Sequence, residues 1–397
     1  MGQWMDQVSR GWLMYQLTGS ALELGMVTAA RGLPLLVFGI IAGAVADRSG
    51  RKLQLIVAQL TNAAVNLALA TLVLTHHVQP WHVYATALLA GTVQAFQQPA
   101  RQTLVSDIVG NKHLLNALAL NSAALNGARA IGPAIGGILI AAVGVDGSYY
   151  AQAALYLMAT VWTFQMAVPG RSPESAEARR EPFVTSVKNG LVYVGRNRTI
   201  RTLLIIALGP MFLTMPYTSM MPIFALDVLH GGARLQGLLL TCVGIGALAG
   251  ALYVASVVRR SGYTWVVVAG AIAFSAGVLG FSLSRWVPIS VPLLLATGVF
   301  SVTYQTQDQT LAQILAPRHL RGRVMSIYLL NRGLVPMGSL LAGVLASLMG
   351  APDALVLMSA AGMVLVAAVS LLTPGFLRVR VEFTDETSTG PPEPRLT

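Results

Sequence analysis

Long apolar segments, recurring from one end of the chain to the other, constrain its fold more than any other feature. They lie at about 1–17, 21–46, 53–75, 81–106, 114–143 and 149–168, and again at about 201–226, 235–258, 263–283, 287–313, 322–349 and 353–376. A bilayer's hydrocarbon core of about 30 Å takes roughly 20 such residues per helix. In lipid every backbone polar group must be bonded within its own segment, which selects helices for runs of this length. The expectation is an all-α membrane protein with twelve transmembrane helices in two pseudo-symmetric six-helix bundles. Composition agrees: 55% of the 397 residues are hydrophobic and 10% charged, where a soluble domain carries about a quarter charged.

Breaks in the apolar pattern set the domain organisation. Residues 1–168 form an N-terminal six-helix bundle, 169–200 a basic linker with one amphipathic helix, 201–376 a C-terminal six-helix bundle and 377–397 a polar, disordered tail. Lys and Arg mark cytoplasmic loops. If the linker is cytoplasmic, the loops on its side and the start of the tail hold 18 cations, against only Arg234 and Arg285 on the other side. Both termini are therefore expected in the cytoplasm, with lipid as the surrounding partner. The net charge of +11 follows this loop pattern; it forms no basic stripe, so no nucleic acid is expected. The first span begins at Met1 without a basic leader and is short, as if truncated. Asp6 and Arg10 inside it exclude a signal peptide.

Two stretches of the first half return in the second. Arg48, Ser49 and Gly50 of GAVADRSGRK match Arg260, Ser261 and Gly262. Gln102-Thr103-Leu104 followed by Lys112-His113-Leu114 matches Gln309-Thr310-Leu311 followed by Arg318-His319-Leu320. Such internal repetition marks a transporter built by duplication. GAVADRSGRK, Gly43 to Lys52, resembles the signature loop G-x-x-x-D-R-x-G-R-[RK] between the second and third helices of the major facilitator superfamily, and the resemblance extends over essentially the whole chain. WLMYQLTGSALELG (Trp12 to Gly25), QQPARQTLVSDIV (Gln97 to Val109) and ARAIGPAIGGIL (Ala128 to Leu139) are similar to the exporter branch that includes the enterobactin exporter and macrolide efflux proteins. The charges Asp6 and Glu23 and the missing leader depart from that branch, and the two charges bear on substrate.

Physical roles follow for the motif residues. Gly43 allows close helix approach, Gly50 the tight turn, and Asp47 caps its span. Arg48, Arg51 and Lys52 can bond carboxylates or helix C-terminal carbonyls across the bundle, with Asp107 the candidate partner, as a latch that breaks when the halves rock. For Lys52 a pure topology signal is an equal alternative. Gly132, Pro133, Gly136 and Gly137 place small residues one turn apart and let that helix bend. The segment resembles the superfamily's antiporter motif, which implies export, although ordinary small-residue packing also accounts for it.

Charges deep inside spans are costly, about 2.5–3.5 kcal/mol each at the bilayer centre. Asp6, Arg10, Arg31 and Arg129 qualify, and all can line one cavity of the first half. Asp6 is the candidate for the coupling proton, and Arg31 and Arg129 would hold an anionic substrate or compete for Asp6. The competing reading is that Asp6 and Arg10, one turn apart, only neutralise each other. In the seventh span Met211, Phe212, Met215 and Tyr217 suit a hydrophobic wall that accepts many shapes. Asp308 is expected to form an inner gate with Arg332 or with the loop from Arg318 to Arg323.

Enzymatic classes find no support. The chain has no Walker sequence, no metal-ligand cluster and one cysteine, Cys242, so no cofactor or internal disulfide is expected. The expected function is secondary, proton-driven efflux of a small amphipathic molecule such as a drug or siderophore, by a monomer in a bacterial inner membrane. Solute uptake by symport, or a transport-inactive scaffold or sensor, are the alternatives.

Overall fold

Uninterrupted apolar sequence without caps favours long helices, and Gly, Pro and charged turns end them. In the computed structural model α1 covers Gly2–Thr18, α2 Ala21–Arg48, α3 Arg51–Leu74 and α4 Pro80–Gln165. The structure describes residues 1–48, 50–166, 194–195, 197–257, 261–317, 324–325, 328, 333–377 and 380–382, without the side chains of 39–48 and of most of 102–122. Gly19, at φ 60°, closes α1 in the left-handed conformation with its N–H on the Tyr15 carbonyl. The 86 residues of α4 would reach about 130 Å if straight, so the element doubles back. Gly144 turns at φ 80°, and both its Phe96 carbonyl and its Thr163 hydroxyl meet α3, through Gln54 and Gln59.

In the second half α5 spans Arg198–Gly209. Pro210, Pro216 and Pro222 each remove a backbone donor, and the continuation is correspondingly irregular: a π segment at Pro210–Thr214, a 3-10 segment at Met215–Met220 and a second π segment at Phe224–Val228. Then follow α6 (Ala233–Val257), α7 (Thr264–Leu283), α8 (Val287–Leu315), α9 (Val335–Met349), α10 (Ala351–Leu372) and the short α11 (Pro374–Leu377). Two strands were not expected: β1 (Ser261–Tyr263) pairs antiparallel with β2 (Arg380–Glu382), Gly262 opposite Val381. The first residues of the tail expected to be disordered therefore have a fixed partner. Residues 383–397 lie outside the described residues.

Among the described residues eight segments are long and apolar enough to cross a membrane. One of them, Ala123–Gln165, holds 43 residues and takes in two of the twelve expected spans, whereas α9 has only 15. The outward faces carry large apolar side chains: Leu371 is 79% exposed and Phe164 72%. Asp6, Arg10 and Asp308, by contrast, are buried. That inversion suits a molecule whose solvent is hydrocarbon.

The chain gathers into two compact units. One comprises 1–181, 219–241 and 339–347, so the first half takes up pieces of the second. The seams there are glycine against glycine. A Cβ on Gly137 would meet the Ala233 carbonyl oxygen at 2.5 Å and the Gly237 Cα at 2.9 Å, and one on Gly237 would meet the Pro133 oxygen at 2.7 Å. Gly25 and Gly343 repeat the arrangement, with a Gly343 Cβ 2.9 Å from the Ala21 oxygen and 3.1 Å from the Gly25 Cα. All four belong to small-x-x-x-small pairs that let backbones touch: Gly137/Ala141, Ala233/Gly237, Ala21/Gly25 and Ser339/Gly343. The other unit holds 182–218, 242–338 and 348–397. In it Tyr217 packs edge-on to Phe274, which stacks on Tyr304.

Candidate functional site

The first helix has no acidic first turn and no side-chain cap; it is held by its neighbours. Gly132 and Gly136 of α4 leave room for Trp4 and Met5, whose Cβ and Cα would lie 2.6 and 3.3 Å from added Cβ atoms. The motif Gly132-Pro133-Ala134-Ile135-Gly136-Gly137 thus has two faces, Gly132 and Gly136 toward α1 and Gly137 toward α6. Packing this close brings α1's polar stripe against α2 and α4.

On that stripe sits Asp6. Arg10, one turn on, grips it with two bonds, Nη2 to Oδ1 at 2.9 Å and Nε to Oδ2 at 3.2 Å. Arg31 of α2 reaches Oδ2 at 2.5 Å. The remaining Arg10 donor, Nη1, bonds the Thr86 hydroxyl at 2.8 Å and the Val83 carbonyl at 3.2 Å. One carboxylate between two guanidiniums leaves one net positive charge. The Asp6 and Arg10 side chains are 5% exposed and that of Arg31 is 20%, so Arg31 is the accessible member. Its backbone is fixed where α2 crosses α4: a Cβ on Gly91 would stand 2.9 Å from the Arg31 carbonyl carbon. Arg129 is set apart, its guanidinium 5.5 Å over the Trp4 ring.

Other polar groups of these helices pair among themselves, and the sequence analysis did not single out Ser9, Ser148 or Gln152. Ser9 and Ser148 share a hydrogen bond of 2.9 Å, and Gln152 donates to Ser9 at 3.0 Å. Ser148 and Gln152 lie four residues apart on an otherwise apolar run, the signal that would have found them. Glu23, an unusual charge in sequence, accepts from the Tyr84 hydroxyl. Asp227 accepts from Tyr15, joining the end of α1 to the irregular segment of the second half within the same unit.

At the signature loop, Lys52 donates to the Met166 carbonyl, at the C-cap of α4, at 2.8 Å and covers the Phe164 ring. Gly50 adopts φ −63°, ψ 113° as N-cap of α3, and an added Cβ would have Leu53 at 3.9 Å as its nearest contact. That conformation is open to any residue, so the turn does not require glycine as expected. Arg51 is half-buried. The backbones of Gly43, Asp47 and Arg48 lie in α2 and that of Asp107 in α4, but their side chains are outside the described residues, as is Arg332 altogether. Met211 and Tyr217 of the expected hydrophobic wall are buried, while Phe212 and Met215 are half-buried. Asp308 is 0% exposed, and both its oxygens lack a hydrogen bond of acceptable geometry.

No group of three or more His, Cys, Asp or Glu that could hold a metal occurs among the described residues.

The profile of a family described as transmembrane secretion effector matches residues 1–394. The chain is 28% identical over 357 residues to the staphyloferrin A transporter of Staphylococcus aureus (strain NCTC 8325 / PS 47), covering 88% of this chain and 87% of that one. It is 29% identical over 357 residues to the multidrug efflux pump Tap of Mycolicibacterium fortuitum, with the same coverage. Macrolide efflux protein A of Streptococcus pyogenes is 22% identical over 214 residues, 54% of this chain and 53% of that protein. Among solved structures, a bacterial homolog of the human lysosomal transporter Spinster superposes with a TM-score of 0.74 at 12% identity, covering 94% of each chain. That likeness speaks for the fold alone.

Proposed function

We propose, from the premise that the chain belongs to the transmembrane secretion effector family of the major facilitator superfamily, that it exports a small amphipathic molecule, a drug or siderophore, by proton-coupled alternating access. Membership makes it an integral membrane transporter with the all-α major facilitator fold, and not an enzyme. Substrate, direction and coupling are the proposal. Relatives named for siderophore transport and for multidrug and macrolide efflux support export, as do their bacterial sources an inner-membrane location. The loop charges support a cytoplasmic N- and C-terminus.

The observation that carries the proposal is Asp6 held between Arg10 and Arg31 inside the membrane. Charges there are retained for function because they cost so much. Arg31 is the arm an acidic group of the substrate reaches. Substrate binding to Arg31 leaves Asp6 to Arg10 alone, and a proton on Asp6 releases Arg31; the Asp6 carboxylate and the substrate's acidic group compete for one guanidinium, which couples the charge state of Asp6 to occupancy of the substrate site. Arg129 is held over Trp4. Lys52 and the other signature-loop residues form the latch, and Met211, Phe212, Met215 and Tyr217 contribute the apolar side of the substrate site. The division into bundles at 1–168 and 201–376, joined by 169–200, supplies the two rocking bodies.

Ethidium accumulation in inverted membrane vesicles, with and without an imposed pH gradient, tests this. Gradient-dependent accumulation that Asp6→Asn abolishes is expected. Accumulation indifferent to the gradient in the wild type would remove the coupling.

A further inference from the structure

Asp308 is a second membrane-buried carboxylate, and its surroundings differ from those of Asp6. It lies on α8, seven residues before the helix ends at Leu315, and is 0% exposed with neither oxygen in a well-formed hydrogen bond. The neighbour that reaches the carboxylate is the Tyr328 hydroxyl, whose own bond goes to the Gln305 carbonyl at 3.3 Å. On the same helix Tyr304 and Gln307 are buried, and Tyr304 stacks on Phe274 at 5.6 Å. α7, packed along α8, has no ionisable side chain from Thr264 to Leu283. On α5, Arg198 bonds the Leu372 carbonyl and Arg201 the Gly195 carbonyl. On α6, Cys242 is buried and Tyr253 exposed. Among the described residues, no cation lies within ion-pair distance of Asp308.

A carboxylate sealed in this way has three ways to avoid standing as a bare charge. A guanidinium or ammonium partner is not supplied by the described residues. A metal ion would need about six oxygen ligands, whereas the site offers one carboxylate beside stacked aromatic rings. A proton needs no volume and no further ligand, and neutralisation is the usual fate of an unpaired buried acid. An acid kept in that position for packing alone would be replaced without loss by an amide or an apolar residue.

We propose that Asp308 is a proton-binding site of the second half, carrying one proton on a carboxylate oxygen in the conformation described and releasing it when water or a cation reaches α8. The proposal rests on the proton-coupled reading above and adds a carboxylate separate from the Asp6 cluster.

The test uses infrared difference spectra of the full chain in lipid vesicles during a pH titration. The wild type is expected to show a protonated-carboxyl C=O band that Asp308→Asn abolishes, Asp308→Glu shifts and Asp6→Asn leaves in place. A band that persists in Asp308→Asn, or its absence from the wild type, overturns the proposal. If Asp308→Asn does not fold, the shift in Asp308→Glu decides: an unshifted band refutes it. In inverted vesicles Asp308→Asn should lose gradient-driven ethidium accumulation yet keep ethidium exchange without a gradient. Wild-type vesicles that ignore the gradient defeat the coupling reading of the preceding section, while the infrared band still decides whether Asp308 holds the proton.

Discussion

Replacing Gly91 by alanine separates the packing of the Arg31 site from helix propensity. The added carbon would stand 2.9 Å from the carbonyl carbon of Arg31, nearer still to its oxygen, and ordinary contact begins at 3.4 Å. Backbone atoms cannot rotate away as a side chain can, so α2 and α4 must part by more than the half ångström the carbon alone demands, because the nearer oxygen sets the limit. Overpacking of this kind costs about 1–3 kcal/mol. The displacement also lengthens the 2.5 Å contact of Arg31 with Asp6, moving it out of the range of a strong charge-assisted bond. Alanine itself is favoured over glycine in a helix by about 1 kcal/mol, which would mask part of the loss. Gly127→Ala supplies the correction: Gly127 lies on the same α4 with nothing within 4 Å of an added Cβ. Propensity cancels between the two variants, so Gly91→Ala should be less stable than Gly127→Ala by about 1–3 kcal/mol. Denaturant unfolding of both variants in one detergent measures the difference. Equal midpoints for the two variants would show that the backbones are not in contact at Gly91 and would undo the account of how Arg31 is placed.

Asp6→Asn strips the buried Arg10 of its carboxylate and should cost about 3–5 kcal/mol, whereas Arg31→Gln, at the exposed end of the cluster, should cost clearly less; an unfolding series in which Arg31→Gln is the more damaging would invert the assignment of which arginine is structural. Adding Arg10→Met to Asp6→Asn should recover part of the loss, by the same measurement. Tyr15→Phe and Asp227→Ala each remove one hydrogen bond, worth about 1 kcal/mol or somewhat more, and the double variant should lose no more than the worse single; additive losses in the double-mutant cycle would mean the pair does not interact. Gly137→Ala and Gly237→Ala each push a carbon into a neighbouring carbonyl and should slow ethidium accumulation with little loss of folded protein, so unimpaired accumulation in both would argue against a role for this seam.

The fold was legible where the signal was coarse. Twenty-residue apolar runs and charged turns located α2, α3 and α6 to α8 because lipid tolerates few other solutions. Gly132 and Gly136 were recognised as packing residues, yet their partner, α1 at Trp4 and Met5, and the opposite orientation of Gly137 were not, because a repeat of small residues gives spacing without a direction. The same limit separates Asp6 from Arg129. Both were picked out as intramembrane charges able to line one cavity, but spacing alone could not decide whether Arg31 or Arg129 reaches Asp6. Arg31, 25 residues on, enters the cluster through the crossing of α2 and α4 at Gly91. Strands β1 and β2 left no trace in the pattern. Three residues are too few for an alternation, and their pairing joins positions 120 residues apart. Tyr15–Asp227 and Tyr84–Glu23 escaped notice for a related reason, since a tyrosine at a helix end reads first as an interfacial residue.

The glycine seams have a consequence for rate. Most protein contacts trap side chains, and each must regain its rotamers when the contact parts and lose them when it re-forms. At Gly25/Gly343 and Gly137/Gly237 the touching atoms are backbone, with no rotamer to freeze and no charge to rehydrate. Opening such a seam forfeits only dispersion, spread over many weak atom pairs, and closing it needs no search among side-chain arrangements. A junction of this kind can cycle many times without accumulating mispacked states, and its four glycines would tolerate substitution far less than the lipid-facing leucines beside them.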